Sequence, residues 1–366
     1  DVGIHFSDES GWIDDPYFDG DGPSRKGCVY CGECMVGCKH DAKNTLDKNY
    51  LYLAEALGVK IISEMDVYDI KKTDGGFSVS ARKSTGLRHP VTEFQSSKVV
   101  VSGGVMGSIK LLMECKRKGS LPNLSSQLGN FVRSNSEAIL GVKTPNPDSE
   151  LASGIAISAG FHPDEDTHIE TFRYGKGQNM MGLLTTDMPK PESPAGFVYW
   201  LINFIRHPIR NILYFFPRRW SERGIFLLVM QPINNYLRIV NERKWWKLGG
   251  FSLDTRNESS TPVPGRIEIG EKIAESIAKK VGGHCSTTYP SAILNVPTTA
   301  HILGGARISD SPENGVINEN LEAFGYEGLY VVDGSSIPSN LGVNPSLTIT
   351  ALAEYAMDKF PKKGKD

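Results

Sequence analysis

The run Val99–Val101 is the stretch that most constrains how this chain can fold. It is fully apolar and leads directly to Gly103-Gly104, and apolar residues at helical spacing follow from Met106 to Lys116. Strand, glycines, helix is the order of an α/β unit that presents a helix N-terminus to a nucleotide. The same order returns near the other end, where Gly328 precedes the apolar strand "LYVVDGS" and a closing helix. The middle of the chain reads differently. Ala138–Val142, Gly154–Phe161, Ile169–Phe172, Phe226–Gln231 and Tyr236–Val240 have strand composition, some joined by tight turns such as "PINN", which predicts an antiparallel sheet. Ile267–Val281 is amphipathic and stops at Gly282-Gly283, as a helix does. The expected arrangement is α/β, α+β overall. A nucleotide-binding domain comes from residues 1–133 and 296–366, and a sheet domain, 134–295, is inserted between them.

Residues 1–43 are rich in Gly, Pro, Asp and Cys and read as an irregular loop. Thr45–Leu57 then carries Leu46, Tyr50, Leu53, Ala54 and Leu57 at helical spacing and ends at Gly58. Val59–Ser63, Val67–Lys71 and Phe77–Arg82 are strand-like. With 366 residues, 39% apolar and 22% charged, the composition is that of an ordinary globular protein of one large domain or two. A net charge of −2 provides no basic surface, so no nucleic-acid partner is expected. The opening "DVGIHF" lacks Met and reads like the inside of a domain, so the expectation is a fragment or processed piece; nothing constrains the compartment. The nearest approach to a membrane span, Phe197 to Pro217, is broken by Arg206, Pro208 and Arg210, short of about 20 clean apolar residues.

"CVYCGECMVGC", residues 28–38, spaces Cys28, Cys31, Cys34 and Cys38 as C-x2-C-x2-C-x3-C, the spacing of a bacterial iron–sulfur run. Two readings stand. A cluster needs Cys38 to fold back, or Cys115 or Cys285 to join, because the fourth cysteine of a two-cluster ferredoxin serves the other cluster and a proline follows it. Here Lys39 follows. Zinc suits the run poorly, since zinc sites separate their pairs by about 12 residues or more. The other reading is a compact turn of buried thiols without a metal.

Three features gather toward the C-terminus. In "GVNPSLTITALAEYAM", Asn344 stands as an N-cap and Pro345 as the first helical residue, where its missing N–H costs nothing. The proline holds Asn344 extended, and the helix N-terminus suits a group that becomes negative during a reaction. Asp333 closes the strand "LYVVDGS", where open α/β sheets hold ligands, and equally suits a turn with Gly334. His301 in "TTAHILGGARI" precedes Gly304-Gly305 and is either structural or a proton-transfer group.

Taken together, "TAHILGGARI" and "GLYVVDGSSIPSNLGVNPSLTITALAE" resemble the C-terminal signature of the glucose-methanol-choline (GMC) oxidoreductases, a family of FAD enzymes. Upstream, "DPYFDGDGPSRKGCVYCGECMVGCKHDAKNTLDKNYLYLAEALG" and "VVVSGGVMGSIKLLMECKRKGSLPNLSSQLGNFVRSNSE" are similar to the family's bacterial cholesterol-oxidase-like branch. The likeness covers most of the chain and is weakest from about Pro189 to Arg223. It implies a Rossmann-like FAD-binding domain, incomplete here, with an inserted antiparallel-sheet substrate domain. His301 is implied as the active-site histidine, with Asn344 its partner beside the flavin. Asp333 and Gly334 would hold the cofactor near its ribityl chain and phosphates. The backbone of Val67 would meet the adenine, and Gly103 and Gly104 would let the chain approach FAD. Pro345 would open the helix that faces the flavin's pyrimidine end. The resemblance implies no metal. Two departures stand out: the family's His-Pro-Leu-Gly-Gly is His-Ile-Leu-Gly-Gly here, so Ile302 frees the backbone beside His301. The G-x-G-x-x-G turn that cradles the pyrophosphate is missing. The first βαβ unit is therefore expected to be absent and the chain alone to bind FAD poorly.

The implied reaction is oxidation of an alcohol to a ketone, with a 3-hydroxysteroid or similar bulky apolar alcohol as substrate and oxygen or a carrier as acceptor. A same-fold dehydrogenase using a carrier is one alternative, and an iron–sulfur electron-transfer module is another. A histidine titrating near about 6.5 can take or position the hydroxyl proton at neutral pH. An asparagine can accept from that hydroxyl and donate elsewhere. Cholesterol oxidases also use a glutamate to move the steroid double bond; Glu170 lies in the inserted domain, and isomerisation stays open. Finally, Tyr199, Trp200, Phe204, Tyr214, Phe215 and Phe216 interleave with Arg206, Arg210, Arg218 and Arg219. Residues 197–220 are a candidate for peripheral membrane contact, or else a substrate lid or domain packing.

Overall fold

A computed structural model describes residues 3–8, 11–189, 196–244 and 250–360. Within them lie the helices α1 (Tyr50–Ala56), α2 (Gly104–Lys118), α3 (Phe197–Arg206), α4 (Pro208–Ile212), α5 (Glu268–Val281) and α6 (Ser346–Lys359). The helix expected over Thr45–Leu57 forms in two parts, a 3-10 turn at Leu46–Lys48 and then α1. Val59–Ser63 forms no strand: Val59, Ile61 and Ile62 are exposed and pair with nothing in the described ladders. The contacts divide the chain into two compact units, and the breaks do not fall at the expected 133 and 295. One unit is residues 1–61, 137–230 and 264–298; the other is 62–136, 231–263 and 299–366.

The first unit holds an antiparallel sheet of six strands. Their order is Thr185–Asp187, His284–Thr288, Ala138–Lys143, Gly224–Met230, Thr167–Phe172, Ile157–Asp164. Because strand side chains alternate, Leu140, Val142, Ile169, Leu227 and Val229 share one face. That face is covered by Ala274 and Ala278 of α5 and by Ile267 just before it. Each large apolar side chain so buried contributes about 1.5–3 kcal/mol. A second cluster joins Phe172, Tyr174, Trp220 and Phe226, with the Trp220 and Phe226 ring centres 4.2 Å apart. "PINN" is not a hairpin. Gly224–Met230 stays in this sheet, while Leu237–Arg243 pairs with Phe251–Asn257 in the other unit, so the turn carries the chain from one unit to the next.

α3, α4 and the 3-10 turn Leu213–Phe215 are tied to the sheet through one buried carboxylate. Asp187 accepts from Asn203 Nδ2 at 3.1 Å and Tyr214 Oη at 3.1 Å, and pairs with Arg210. His284 Nε2 lies 3.9 Å from it. Burial holds the Tyr214 hydroxyl well above its usual range. Burial also pushes His284 down to about 4, with Arg210 and Lys143 adding to the fall and Asp187 opposing it. A neutral His284 in the fold and a titrating one near 6.5 in the unfolded chain mean that the unfolded state binds more protons between those values. Stability should therefore fall as pH drops from about 6.5 toward 4, by up to about 3 kcal/mol. Urea midpoints across that range check it: His284→Gln should flatten the slope, and an unchanged slope would place the titration elsewhere.

The second unit contains the expected α/β pair. Val99–Val101 and Leu329–Val331 run parallel, Val99 opposite Leu329, and α2 follows the first of them. A three-stranded antiparallel sheet, Met65–Thr73, Gly76–Lys83 and Val91–Ser96, contributes Ile70 and Phe77 to the same core as Val101, Ile109, Leu112 and Val331. Among the described residues Val99–Val101 pairs on one edge only. All three valines also line a cavity of about 900 Å³.

Candidate active site

Every residue expected to touch the cofactor or the substrate hydroxyl lies in the second unit. The segment Gly129–Ser136 organises them. Arg133 and Leu303 exchange backbone hydrogen bonds of 2.7 and 3.0 Å, which fixes the loop two residues beyond His301. Gly304 N–H donates to the Gly334 carbonyl and Ala306 N–H to that of Ser335, each at 2.9 Å, so the same loop is joined to the turn after Asp333. Gly304 has φ +74°, and a Cβ there would lie 2.2 Å from the Phe131 carbonyl oxygen; only glycine fits. His301 N–H donates to Thr299 Oγ1 at 2.9 Å.

Asn135 does the corresponding work for the other loop. Its Oδ1 accepts from Leu341 N–H at 2.9 Å and Gly342 N–H at 2.8 Å, and its Nδ2 donates to the Val343 carbonyl at 2.9 Å. Its own N–H donates to Asn340 Oδ1 at 2.8 Å. Asn340 Nδ2 in turn donates to the carbonyls of Ile233 and Asn235. Asn344 follows Val343 directly. One segment thus braces both the His301 loop and the Asn344 loop. Sequence reasoning missed Arg133, Asn135 and Asn340. The available signal was an Asn-Ser pair after a basic residue, and Asn135 and Ser136 do take positive φ, 57° and 39°.

The helix cap is a correction. α6 starts at Ser346 with Pro345 in the cap position, and no side chain caps it. Pro345 already has near-helical angles, and its carbonyl accepts from Ile349 N–H at 2.9 Å, so Asn344 stands one residue outside the cap. Asp333 is found in both of its expected settings, at a strand end and capping a turn. Its Oδ1 accepts from Ser335 N–H at 2.8 Å and from the Ser335 hydroxyl, and its Oδ2 accepts from the Ser108 hydroxyl of α2. Ser108 Oγ in turn accepts from Gly103 N–H at 2.9 Å. These bonds join the ends of the two parallel strands to the start of α2.

The residues fit FAD in part. Val67, Gly103 and Ser108 line the 900 Å³ cavity, within the usual range for ligand pockets. Gly104 has φ +68° with nothing within 4 Å of where a Cβ would stand, so the α2 N-terminus is open to a ligand. Asp333 accepts three hydrogen bonds of the about four a carboxylate offers, which leaves room for one hydroxyl. His301, Asn344, Asp333 and Gly334 are not on that cavity's lining.

Two further groups belong to the first unit. The cysteine run is stitched to the loop around Gly154: Gly32 N–H donates to the Gly154 carbonyl at 2.8 Å, and Gly154 N–H to that of Tyr30 at 2.6 Å. All four thiols are free, Cys34 is buried and the others are half-buried. Burial raises the Cys28 thiol. Among the described residues, no three His, Cys, Asp or Glu side chains gather in a way that could hold a metal ion. Glu170 is buried on Thr167–Phe172, 3.8 Å from His168 Nε2, and His168 stacks on His162 with ring centres 4.6 Å apart.

Comparison with known proteins fits this picture. Models of the GMC oxidoreductase family match residues 23–119 with the N-terminal region and 270–353 with the C-terminal region. The chain belongs to the GMC oxidoreductases. It is 43% identical over 362 residues to a cholesterol oxidase of Mycobacterium tuberculosis, covering 96% of this chain and 62% of the relative. It is 42% identical to one of Acinetobacter baumannii, covering 95% and 64%. A 2-methyl-1,2-propanediol dehydrogenase of Mycolicibacterium austroafricanum is 37% identical, covering 93% and 61%. The chain therefore spans a little over three-fifths of the length of these relatives. In fold it is similar to an FAD-dependent oxidoreductase from Chaetomium thermophilum, with a TM-score of 0.52, 16% identity and coverage of 87% and 64%. A formate oxidase of Aspergillus oryzae is similar too, with a TM-score of 0.53, 15% identity and coverage of 85% and 62%.

Proposed function

We propose that this chain oxidises an alcohol to a ketone with FAD, and that its substrate is a 3-hydroxysteroid of the cholesterol type. The observation that carries the reading is the Gly129–Ser136 segment, which braces the His301 loop and the Asn344 loop together. Flavin, when bound, supplies the two-electron acceptor that takes the carbinol hydride at N5. His301 takes or positions the hydroxyl proton. Asn344 accepts from the hydroxyl and fixes its direction. The N-terminus of α6 favours negative charge beside it. Val67, Gly103, Gly104, Asp333, Gly334 and Pro345 would hold the cofactor. Oxygen is the acceptor in this reading, by similarity to relatives named as oxidases. A carrier is the second reading, favoured by the relative named as a dehydrogenase. Peripheral membrane contact through residues 197–220 belongs to the same proposal.

The test is an anaerobic absorbance spectrum of the full-length gene product before and after cholesterol. Bleaching of a flavin spectrum is the expected result, and peroxide on readmitting air separates oxygen from a carrier. An unbleached flavin removes the sterol. A broad iron–sulfur absorption would bring the cysteine run forward instead. A related expectation concerns the free edge of Val99–Val101. Val100 is 40% exposed and the strand pairs on one edge only among the described residues, so a further strand, and with it the pyrophosphate turn, would dock there. The 366-residue chain should then retain little FAD through gel filtration while the full-length product keeps it; equal retention would show that the cavity alone suffices.

A further inference from the structure

The α3–α4 hairpin is amphipathic in the wrong sense for a face exposed to water. Helices on a globular surface turn apolar residues inward and polar ones out. Here the polar groups point in. Trp200 Nε1 donates to Thr186 Oγ1 at 2.9 Å, Asn203, Arg210 and Tyr214 converge on Asp187, and Asn211 is buried. The outward residues are Val198, Ile205, Ile209 and Phe216, each between 68 and 76% exposed. Two neighbouring turns also expose apolar side chains. The 3-10 turn Met180–Leu184 packs on the turn Leu213–Phe215 and exposes Met180, and the turn Pro290–Leu294 packs on α3 and exposes Leu294. Exposed apolar side chains gathered on elements that pack together mark an interaction site.

Charge selects its occupant. Residues 197–219 contain four arginines and no Asp or Glu. Arg210 and Arg219 are spent on Asp187 and Glu222. Arg206 and Arg218 make no ion pair among the described residues and are exposed, Arg206 next to Ile205 and Arg218 two residues after Phe216 in sequence. No helix of the described residues is long and apolar enough to cross a membrane. We infer that α3, α4 and the two flanking turns form a single face that lies in the surface of an anionic bilayer. Its apolar side chains enter the acyl boundary, and Arg206 and Arg218 engage lipid phosphates. This inference rests on the reading of residues 197–220 as a membrane contact and extends it to Met180, Leu294 and lipid charge.

Flotation of the full-length gene product with sterol-free vesicles tests it, using phosphatidylcholine alone and phosphatidylcholine mixed with phosphatidylglycerol. The protein should float with both and more strongly with the anionic mixture. Ile205→Glu with Ile209→Glu should weaken flotation about tenfold or more on both. Met180→Glu with Leu294→Glu should weaken it as well, and Arg206→Gln with Arg218→Gln should erase the preference for the anionic mixture alone. All six positions are on the surface, so thermal melts should be unchanged. If only the isoleucine pair matters, the contact through residues 197–220 stands and this extension falls. Absence of flotation with either vesicle overturns both. So does a concentration-dependent dimer that the isoleucine variant lacks, which would assign the face to a second copy of the chain.

Discussion

Gly304→Ala should destabilise the second unit by about 3–5 kcal/mol, several times the effect of an ordinary surface substitution. Two costs add. An alanine held at φ +74° loses about 1–2 kcal/mol to backbone strain. The new Cβ would also stand 2.2 Å from the Phe131 carbonyl oxygen and 3.2 Å from its carbon. Neither side can give easily. Gly304 is bonded to Gly334, Leu303 to Arg133, and Phe131 itself has φ 56°. The control is Gly104→Ala, at φ +68° with nothing within 4 Å, which should show the strain alone. Denaturant midpoints of the two variants decide the matter. Equal losses would mean that the Phe131 approach is soft; a gap of about 2 kcal/mol or more would mean that the loop three residues after His301 is rigid.

The parts of this fold legible in the sequence are those whose signal is local. Val99–Val101, α2, α5 and the strand before Asp333 follow from apolar runs, periodicity and stopping glycines, and they stand where expected. The parts that were not legible depend on distant partners. The segment from residue 1 to 61 packs with the sheet unit through contacts such as Gly32 with Gly154, and nothing near Gly32 in sequence announces them. "PINN" has the composition of a hairpin turn, yet the strands on either side belong to different units. Asn344 has the better capping side chain, but the backbone of Pro345 takes the cap position first. Of the candidate site, His301 and Asn344 are proposed from the motif. The residues that brace them, Arg133, Asn135 and Asn340, are polar and aperiodic, so no pattern of hydrophobicity could reveal them.

Asn135→Ala should cost about 4 kcal/mol and should slow flavin reduction as well. The side chain is fully buried and makes three hydrogen bonds, all to backbone groups of Leu341, Gly342 and Val343. Removing it leaves two N–H groups and a carbonyl unsatisfied, at about 1–3 kcal/mol each before relaxation. Alanine also loses the tolerance of asparagine for φ 57°. Asn135→Asp should fall between. It keeps both acceptor bonds but turns an oxygen toward the Val343 carbonyl. The functional effect follows from position: Asn344 comes next after Val343, and a loop released by even about 1 Å loses alignment worth roughly 100-fold in rate. Under the proposed reading, kcat should drop with KM little changed, because the loss falls on orientation rather than on sterol binding. Rates are compared in the full-length gene product well below its unfolding midpoint, so that the folded fraction does not enter. Lost stability with an undiminished rate would mean that Asn135 braces the fold alone. Lost stability with a reduced rate, partly restored in Asn135→Asp, would mean that the precision of the Asn344 loop is set from Asn135, across about 200 residues of sequence.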